Sequence, residues 1–571
     1  MMNMYPIEQC PGQAVVGRVK SWLTNPERRL PVSCTVYALN GTLEDLFYSW
    51  SFVSKALRYG AGCAVNLEAF SQLSFPIQGE LHFQLSQNHP DYVDFCSLFH
   101  PYQYELADAC LIDVADTMDE VVSGGLVNIE ESWTKVAQSL MEGQRVVVNL
   151  SPLRPRGAVN GKGLVASGPA SFAMIYISIA KFLAHPTLPH LCSVYSTINE
   201  ILRRGGTYRN GAVTLFVHYE HPEAKSYLNM PRTELEWAKR ALVVDDGILS
   251  HPLLSEVMAA MESGDLFLAK KRFDSQGQRL FSQVCMEIFL QSRDTCTLHH
   301  VNLGELEPEQ IPQAFVDGMT FLCQIHRHSN VDSLGIYLSP SESKQVGLGI
   351  LGLANYLAIH SISYKDFVIA FESLLSQLQS NCWWDEADHE DYLHCLQHIQ
   401  PSSEAHRLAI SLMQGYMQAT AIAKKAEMQR AFTIAPTASS AFQYRDSQGY
   451  CTVPNIAPPI ACSILRDSQE FGILEVDFHP GCETAAQVGF DTYFRLACCF
   501  QTAMDLTGLA HAISFDIWDQ QPIHREFLQR WLRSPLWTTY YRLPTLGFDL
   551  LDKSRIQCDS LRPGECIPCA A

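Results

Sequence analysis

A chain of 571 residues is longer than one compact core supports, so a large domain with additions, or two to three domains, is expected. Apolar residues make up 47% and charged residues 18%, an ordinary composition for a globular enzyme. The formal net charge of −19 argues against a nucleic-acid binder, because phosphate contacts need clustered Lys and Arg.

At the start, Met1–Gln13 lacks the basic-then-apolar order of a signal peptide, and a cytoplasmic chain is expected. Residues up to about 30 read as a short polar leader. Val32–Leu39 (VSCTVYAL) predicts a buried strand, and Leu43–Arg58 a helix with apolar residues at Leu43, Leu46, Phe47, Trp50 and Val53. A glycine-punctuated turn and strand follow over Tyr59–Leu67. Residues 77–150 are mixed in pattern and end in a strand-like Arg145–Leu150. Leu153–Phe172 (LRPRGAVNGKGLVASGPASF) reads as a loop entering an apolar helix. The longest apolar run, Phe172–Leu183, is interrupted by Ser178 and Lys181 and falls short of a membrane span. Gly205-Gly206 opens a loop before a strand over Ala212–Tyr219. Gly347–Leu357 reads as a glycine-rich turn starting a helix, and Arg430–Ser440 (RAFTIAPTASS) as a strand running into a Ser/Thr-rich loop. From Asp552 the sequence is polar with Pro and Gly, the pattern of a mobile tail. Short apolar strands alternating with helices predict an α/β fold, compatible with a closed barrel.

Nineteen cysteines in so long a chain are not a disulfide framework, since scaffolds that depend on one are short and secreted. Most are expected to be buried small hydrophobes. Zinc is disfavoured, because the C-x-x-C pair Cys566–Cys569 has no second pair nearby. Four groupings could carry chemistry. In Cys285-Met286-Glu287 a strand would project a thiol and a carboxylate from one face; the plainer reading is a core cysteine beside a solvated glutamate. RAFTIAPTASS offers hydroxyls and N–H groups after a strand, suited either to a phosphate or to simple helix capping. GECIPCAA places two thiols three apart on a flexible end, where they could exchange disulfides or be incidental. Tyr540-Tyr541 is either packing or a radical relay.

Taken in order, these segments resemble the large subunit of ribonucleotide reductase. PVSC, with Cys34, is similar to the family's first reductive cysteine segment. YGAGCAVNL and LRPRGAVNGKGLVASGPASF resemble its glycine-rich barrel segments, and RRGGTYRNGAVTLFVHYEHPE its effector–substrate loop. SQVCMEI resembles the finger loop carrying the radical cysteine, DTCTLHHVNLGEL the segment of the second reductive cysteine, and KQVGLGILGLANYL a later motif. TIAPTASS resembles the phosphate loop, and the double tyrosine and cysteine tail complete the series. The fold so implied is a ten-stranded α/β barrel with a central finger loop. Its divisions would be a leader at 1–30, a catalytic barrel at 31–546 with an insertion at about 77–150, and a redox-active tail at 547–571.

The resemblance implies that Cys285 becomes a thiyl radical and removes the ribose 3′-hydrogen, while Glu287 accepts the 3′-hydroxyl proton. Cys34 and Cys296 would supply two electrons and end as a disulfide, which Cys566 and Cys569 would exchange out for reduction by thioredoxin or glutaredoxin. Ser33, Pro436, Thr437, Ala438, Ser439 and Ser440 would hold substrate. Gln283 stands where the family has Asn and would contact substrate through a longer arm. Thr207, Tyr208, Arg209, Asn210 and Gly211 would form the effector loop. The positions of the family's effector-binding Asp and Arg fall on Gly41 and Ser71, which predicts weak or altered control by dNTP and ATP effectors. With 33 residues before Cys34, no N-terminal ATP cone is expected and no dATP shut-off.

Tyr540-Tyr541, 25 residues before Cys566, resembles the class that takes its radical from a dimetal small subunit and binds no cofactor itself. The alternative is adenosylcobalamin within a single chain, and the insertion at 77–150 is placed like one found in monomeric enzymes of that kind. A second alternative is an inactive regulatory relative, against which all five functional cysteines are present. Diphosphate or triphosphate substrates and a homodimer remain open, and neither nucleic acid nor membrane is an expected partner.

Overall fold

The computed structural model describes residues 15–17, 32–71, 73–75, 79–99, 109–117, 125–159, 166–204, 212–381, 388–468 and 472–545. The effector-loop candidates Thr207–Gly211, the tail cysteines Cys566 and Cys569, and most of the leader therefore lie outside the described residues. The chain divides into two compact units, Thr35–Ala241 and Met1–Cys34 with Leu242–Ala571. Among the described residues no helix is long and apolar enough to cross a membrane.

In the first unit, strands Cys34–Ala38, Gly62–Asn66, Val213–His218 and Lys239–Val244 lie side by side in that order. Helix Leu43–Arg58 joins the first two and has the predicted bounds. The Thr42 hydroxyl caps it by accepting from the Asp45 N–H at 3.2 Å, Glu44 and Asp45 meet the positive end of the helix dipole, and Lys55 and Arg58 the negative end. The 77–150 segment contributes a parallel three-stranded sheet, with Arg145–Asn149 between Glu80–Gln84 and Cys110–Asp113, and the helix Ile129–Met141. Buried Glu130 of that helix accepts from the Ser54 hydroxyl and pairs with Arg58 at 3.3 Å, which ties the segment to helix Leu43–Arg58.

In the second unit, strands Ala510–Ile513, Arg430–Ile434, Gln345–Leu351 and Thr295–Asn302 form a parallel array in that order. Helices Ile311–Arg327 and Glu404–Lys425 cover it, and every residue of Gln345–Leu351 is buried. A strand covered on both faces reads as a near-continuous apolar run, without alternation. With Val15–Gly17, antiparallel to Thr295–Asn302, and Phe267–Lys270, the strands of the two arrays number ten among the described residues.

Gly347–Leu357 corrects the sequence reading. Gln345–Leu351 is a strand, and the helix is confined to Leu353–Ile359. The glycines are explained by close approach to the next strand: a Cβ on Gly349 would stand 2.5 Å from the Thr433 carbonyl oxygen. Gly347 and Gly349 serve sheet packing, while Gly352, at φ +75°, is the N-cap at which the helix starts.

Candidate active site

The chemistry-bearing residues gather in the second unit on a short hairpin. Strands Arg279–Ser282 and Phe289–Leu290 pair antiparallel, with Ser282 opposite Phe289. The loop between them is closed by Gln283 N–H to Ile288 C=O at 3.0 Å and Met286 N–H to Gln283 C=O at 3.1 Å. Met286 has φ +71°, a left-handed conformation that costs a non-glycine residue on the order of 1 kcal/mol. Cys285 and Glu287 thus sit in a tight loop, not in the strand that would have aligned them by i, i+2 spacing. The pairing of thiol and carboxylate was anticipated; its geometric reason was not.

Two residues from distant strands hold this loop. The Glu287 carbonyl accepts from the Ala512 N–H at 2.8 Å and from the Thr433 hydroxyl at 3.0 Å. Thr433 also lies 2.9 Å from the Ala512 carbonyl. Sequence reasoning did not single out Thr433, although it lies within the quoted TIAPTASS. At the tip, the Gln283 side-chain oxygen accepts from the Cys285 N–H at 2.6 Å. Gln283 is fully buried, and its amide nitrogen has no hydrogen-bond partner among the described residues.

The Ser33 N–H donates to the Cys296 carbonyl at 2.9 Å, which brings Cys34 and Cys296 to adjacent strand starts. The neighbouring Cys285 thiol first, then burial and the proximity of Cys296 and Glu287, pushes the Cys34 thiol well above its ordinary range. Burial, then Glu287 and Asp294, does the same to Cys296. Cys34, Cys285, Cys296 and Glu287 are 6%, 6%, 1% and 1% exposed, so the cluster is dry. Nucleophilic and metal-binding cysteines work as thiolates in electropositive surroundings. Here the surroundings favour protonated Cys34 and Cys296, suited to giving up hydrogen atoms.

The tyrosine pair adjoins the same cluster. Tyr540 and Tyr541 have ring centroids 4.2 Å apart, and Phe267 packs on both at 4.9 and 5.3 Å. The Tyr540 phenol lies in the same buried cluster as the Cys285 thiol and the Glu287 carboxylate. Burial first, then Cys285 and Glu287, holds the Tyr540 phenol well above its usual range.

Past strand Arg430–Ile434, Thr437 takes φ +55° and precedes the four-residue helix Ala438–Ala441. The Thr437 hydroxyl accepts from the Asn455 N–H at 3.0 Å, and its carbonyl from the Ser440 N–H at 2.9 Å. Pro436, Thr437, Ala438, Ser439 and Ser440 therefore form a turn at the end of the strand that carries Thr433; of Ser439 only the backbone is described. Ser33 is buried beside Cys296.

No protein-family model and no curated protein matches the sequence. Among solved structures, a B12-dependent (class II) ribonucleotide reductase is similar with a TM-score of 0.60 and 12% identity, over 92% of this chain and 79% of that one. The class Id ribonucleotide reductase alpha subunit of Actinobacillus ureae is similar with a TM-score of 0.51 and 13% identity, over 93% and 87%. The chain has the ribonucleotide reductase fold. In this reductase fold the hairpin carrying Cys285 is anchored on two strands of the parallel array, through Thr433 and Ala512.

Proposed function

We propose that this chain reduces ribonucleotides to 2′-deoxyribonucleotides by thiyl-radical chemistry. The observation that carries the reading is the convergence of Cys34, Cys285, Cys296, Glu287 and Tyr540 in one buried cluster on a reductase fold. In the reaction the Cys285 thiyl takes the ribose 3′-hydrogen, Glu287 takes the 3′-hydroxyl proton, and the 2′-hydroxyl leaves as water. Cys34 and Cys296 then give two hydrogen atoms to substrate and form a disulfide. Cys566 and Cys569 pass reducing equivalents to it from thioredoxin or glutaredoxin. Gln283 has its oxygen committed to the Cys285 N–H, so its free amide N–H donates to a substrate oxygen. The turn Pro436–Ser440 holds the substrate phosphates.

The radical arrives through Tyr541 and Tyr540 from a separate radical-bearing subunit, a reading supported by the packing of the two rings, 4.2 Å between centroids, and by the place of Tyr540 in the cluster of Cys285 and Glu287. Adenosylcobalamin is the second reading, favoured by the higher TM-score of the B12-dependent enzyme. Replacing Cys285 by Ser tests the common core, because a serine O–H is too strong to yield the radical. Deoxyribonucleotide formation should vanish with every reductant and radical source; appreciable turnover by Cys285→Ser would refute the assignment. Activity of the unaltered chain with adenosylcobalamin alone would decide for the second reading.

A further inference from the structure

Arg272 opens the short strand Arg272–Phe273, which pairs antiparallel with Arg279–Ser282, Arg272 standing opposite Leu280. It therefore belongs to the same three-stranded sheet as the hairpin that carries Cys285. Its side chain reaches out of that sheet. Nη1 donates to the His511 carbonyl at 2.6 Å and Nη2 to the Ala510 carbonyl at 2.7 Å. The guanidinium carbon lies 4.5 Å from the centre of the Trp537 ring and 5.3 Å from that of Phe289, at the base of the hairpin. Those two rings meet edge to face at 6.0 Å, and Leu280, Phe289 and Ala512 pack as one buried cluster with Trp537 against it.

The carbonyls held by Arg272 belong to the two residues immediately before Ala512. The Ala512 N–H donates to the Glu287 carbonyl at 2.8 Å, and its own carbonyl accepts from the Thr433 hydroxyl at 2.9 Å. One guanidinium thus ties together the outer strand of the hairpin sheet, a ring at the hairpin base and the strand on which the loop rests. Its contacts are carbonyls and ring faces, and none is a carboxylate. A lysine ammonium could not copy them, since it has neither a fork to meet two carbonyls nor a plane to lay on a ring.

We propose that Arg272 is a positioning residue for Cys285: it sets the distance between the hairpin sheet and Ala510–Ile513, and so, through Ala512 and Glu287, the place of the thiol against the substrate ribose. The proposal rests on the reductase reading above. The hairpin needs such an anchor because its own ladder is short, with only Phe281 opposite Leu290 and Ser282 opposite Phe289. A two-stranded ribbon of that length has little stability of its own. Charge-assisted hydrogen bonds are roughly twice as strong as neutral ones, and stacking on Trp537 and Phe289 fixes the plane from which they are made. Hydrogen-atom transfer is steep in distance, and a misplacement of about 1 Å can cost about a hundredfold in rate.

Arg272→Lys in the full chain tests this with two measurements, the first needing no turnover. Hydrogen exchange read by mass spectrometry should run about tenfold faster over Arg279–Leu290 and Ala510–Ile513, while helix Glu404–Lys425 keeps its protection. The second is a single round of reduction by pre-reduced enzyme with its radical source, enzyme being in excess. There the amount of deoxyribonucleotide counts competent molecules, and the rate constant reports the chemistry. The variant should keep the amount and lose about tenfold to a hundredfold in rate; a merely structural role would lower the amount and leave the rate. Arg272→Gln, with one amide donor left, should repeat both results should the Lys variant not fold. Unchanged exchange in a folded variant, or an unchanged rate in an active reductase, overturns the proposal. Faster exchange in a chain whose unaltered form makes no deoxyribonucleotide removes the reductase reading instead, and leaves Arg272 as the anchor of a hairpin without that chemistry.

Discussion

Thr433 is the residue on which the placement of the Cys285 hairpin can be tested by stability alone. Its hydroxyl donates into a buried junction, 3.0 Å from the Glu287 carbonyl and 2.9 Å from the Ala512 carbonyl. Thr433→Val keeps the branched shape and removes the donor. One buried hydrogen bond is worth about 0.5–1.5 kcal/mol net, and a carbonyl left without its donor costs about 1–3 kcal/mol. The Glu287 carbonyl keeps the Ala512 N–H, so the loss falls mainly on the Ala512 carbonyl and should total about 1–3 kcal/mol. Thr420 supplies the comparison. It is equally buried, but its hydroxyl donates at 2.8 Å to the Tyr416 carbonyl within helix Glu404–Lys425, a group already served by the helix ladder. Thr420→Val should therefore change stability by less than about 0.5 kcal/mol, since Thr and Val have similar helix propensities. Urea unfolding followed by circular dichroism measures both. Equal effects in the two variants would refute the argument that the hydroxyl of Thr433 clamps the hairpin.

Further outcomes follow from the same geometry. Tyr541→Phe should stop deoxyribonucleotide formation while substrate binding by calorimetry is unchanged; normal turnover would return the pair to a packing role. Gly349→Ala should destabilise by about 1–3 kcal/mol, because the added methyl meets the Thr433 carbonyl at 2.5 Å, and a midpoint shift within error would contradict it. Burial lifts the Asp294 carboxyl from 3.8 to about 7, so the folded state holds a proton that the unfolded chain releases. Stability should then fall as pH rises from about 4 to 7, by up to about 4 kcal/mol, and Asp294→Asn should flatten that slope; an unchanged pH profile in Asp294→Asn would count against it. Changing Cys566 and Cys569 to Ser should abolish multiple turnovers with thioredoxin while pre-reduced enzyme makes one round of product. Sustained turnover would remove the tail from the pathway.

Local rules read best where local forces decide. Helix Leu43–Arg58 was legible because cap, end charges and apolar stripe all point the same way. Gly347 and Gly349 misled because a glycine states only that a side chain is unwelcome, and what excludes it lies far along the chain: Leu298 and Thr433 at Gly347, and the Thr433 carbonyl at Gly349. The same limit hid Thr433, whose partner Glu287 lies 146 residues earlier. For Cys285 and Glu287 the residue types carried the chemistry, while the i, i+2 argument assigned them to a strand that is in fact a loop closed by Met286 at positive φ. The parallel sheet of residues 77–150 shows the converse: its strands have recognisable periodicity only in Arg145–Asn149, and the pairing that makes them a sheet is long-range.

Why motif order pointed to this fold, when identity to the similar structures is only 12–13%, follows from what each part of the molecule demands. A parallel array needs buried apolar strands and amphipathic helices, and many side chains satisfy either. The hydrogen-atom pathway proposed for the buried cluster would tolerate far less, since phenol, thiol and carboxylate differ in bond strength and acidity and none replaces another. The substitution of Gln for Asn at 283 fits this division. The amide is kept, and its longer arm is absorbed by folding the oxygen back onto the Cys285 N–H at 2.6 Å, which leaves the amide nitrogen without a hydrogen-bond partner among the described residues. A residue that departs in length but not in functional group is thus evidence about how the loop is built, and it does not weigh against the reaction proposed for it.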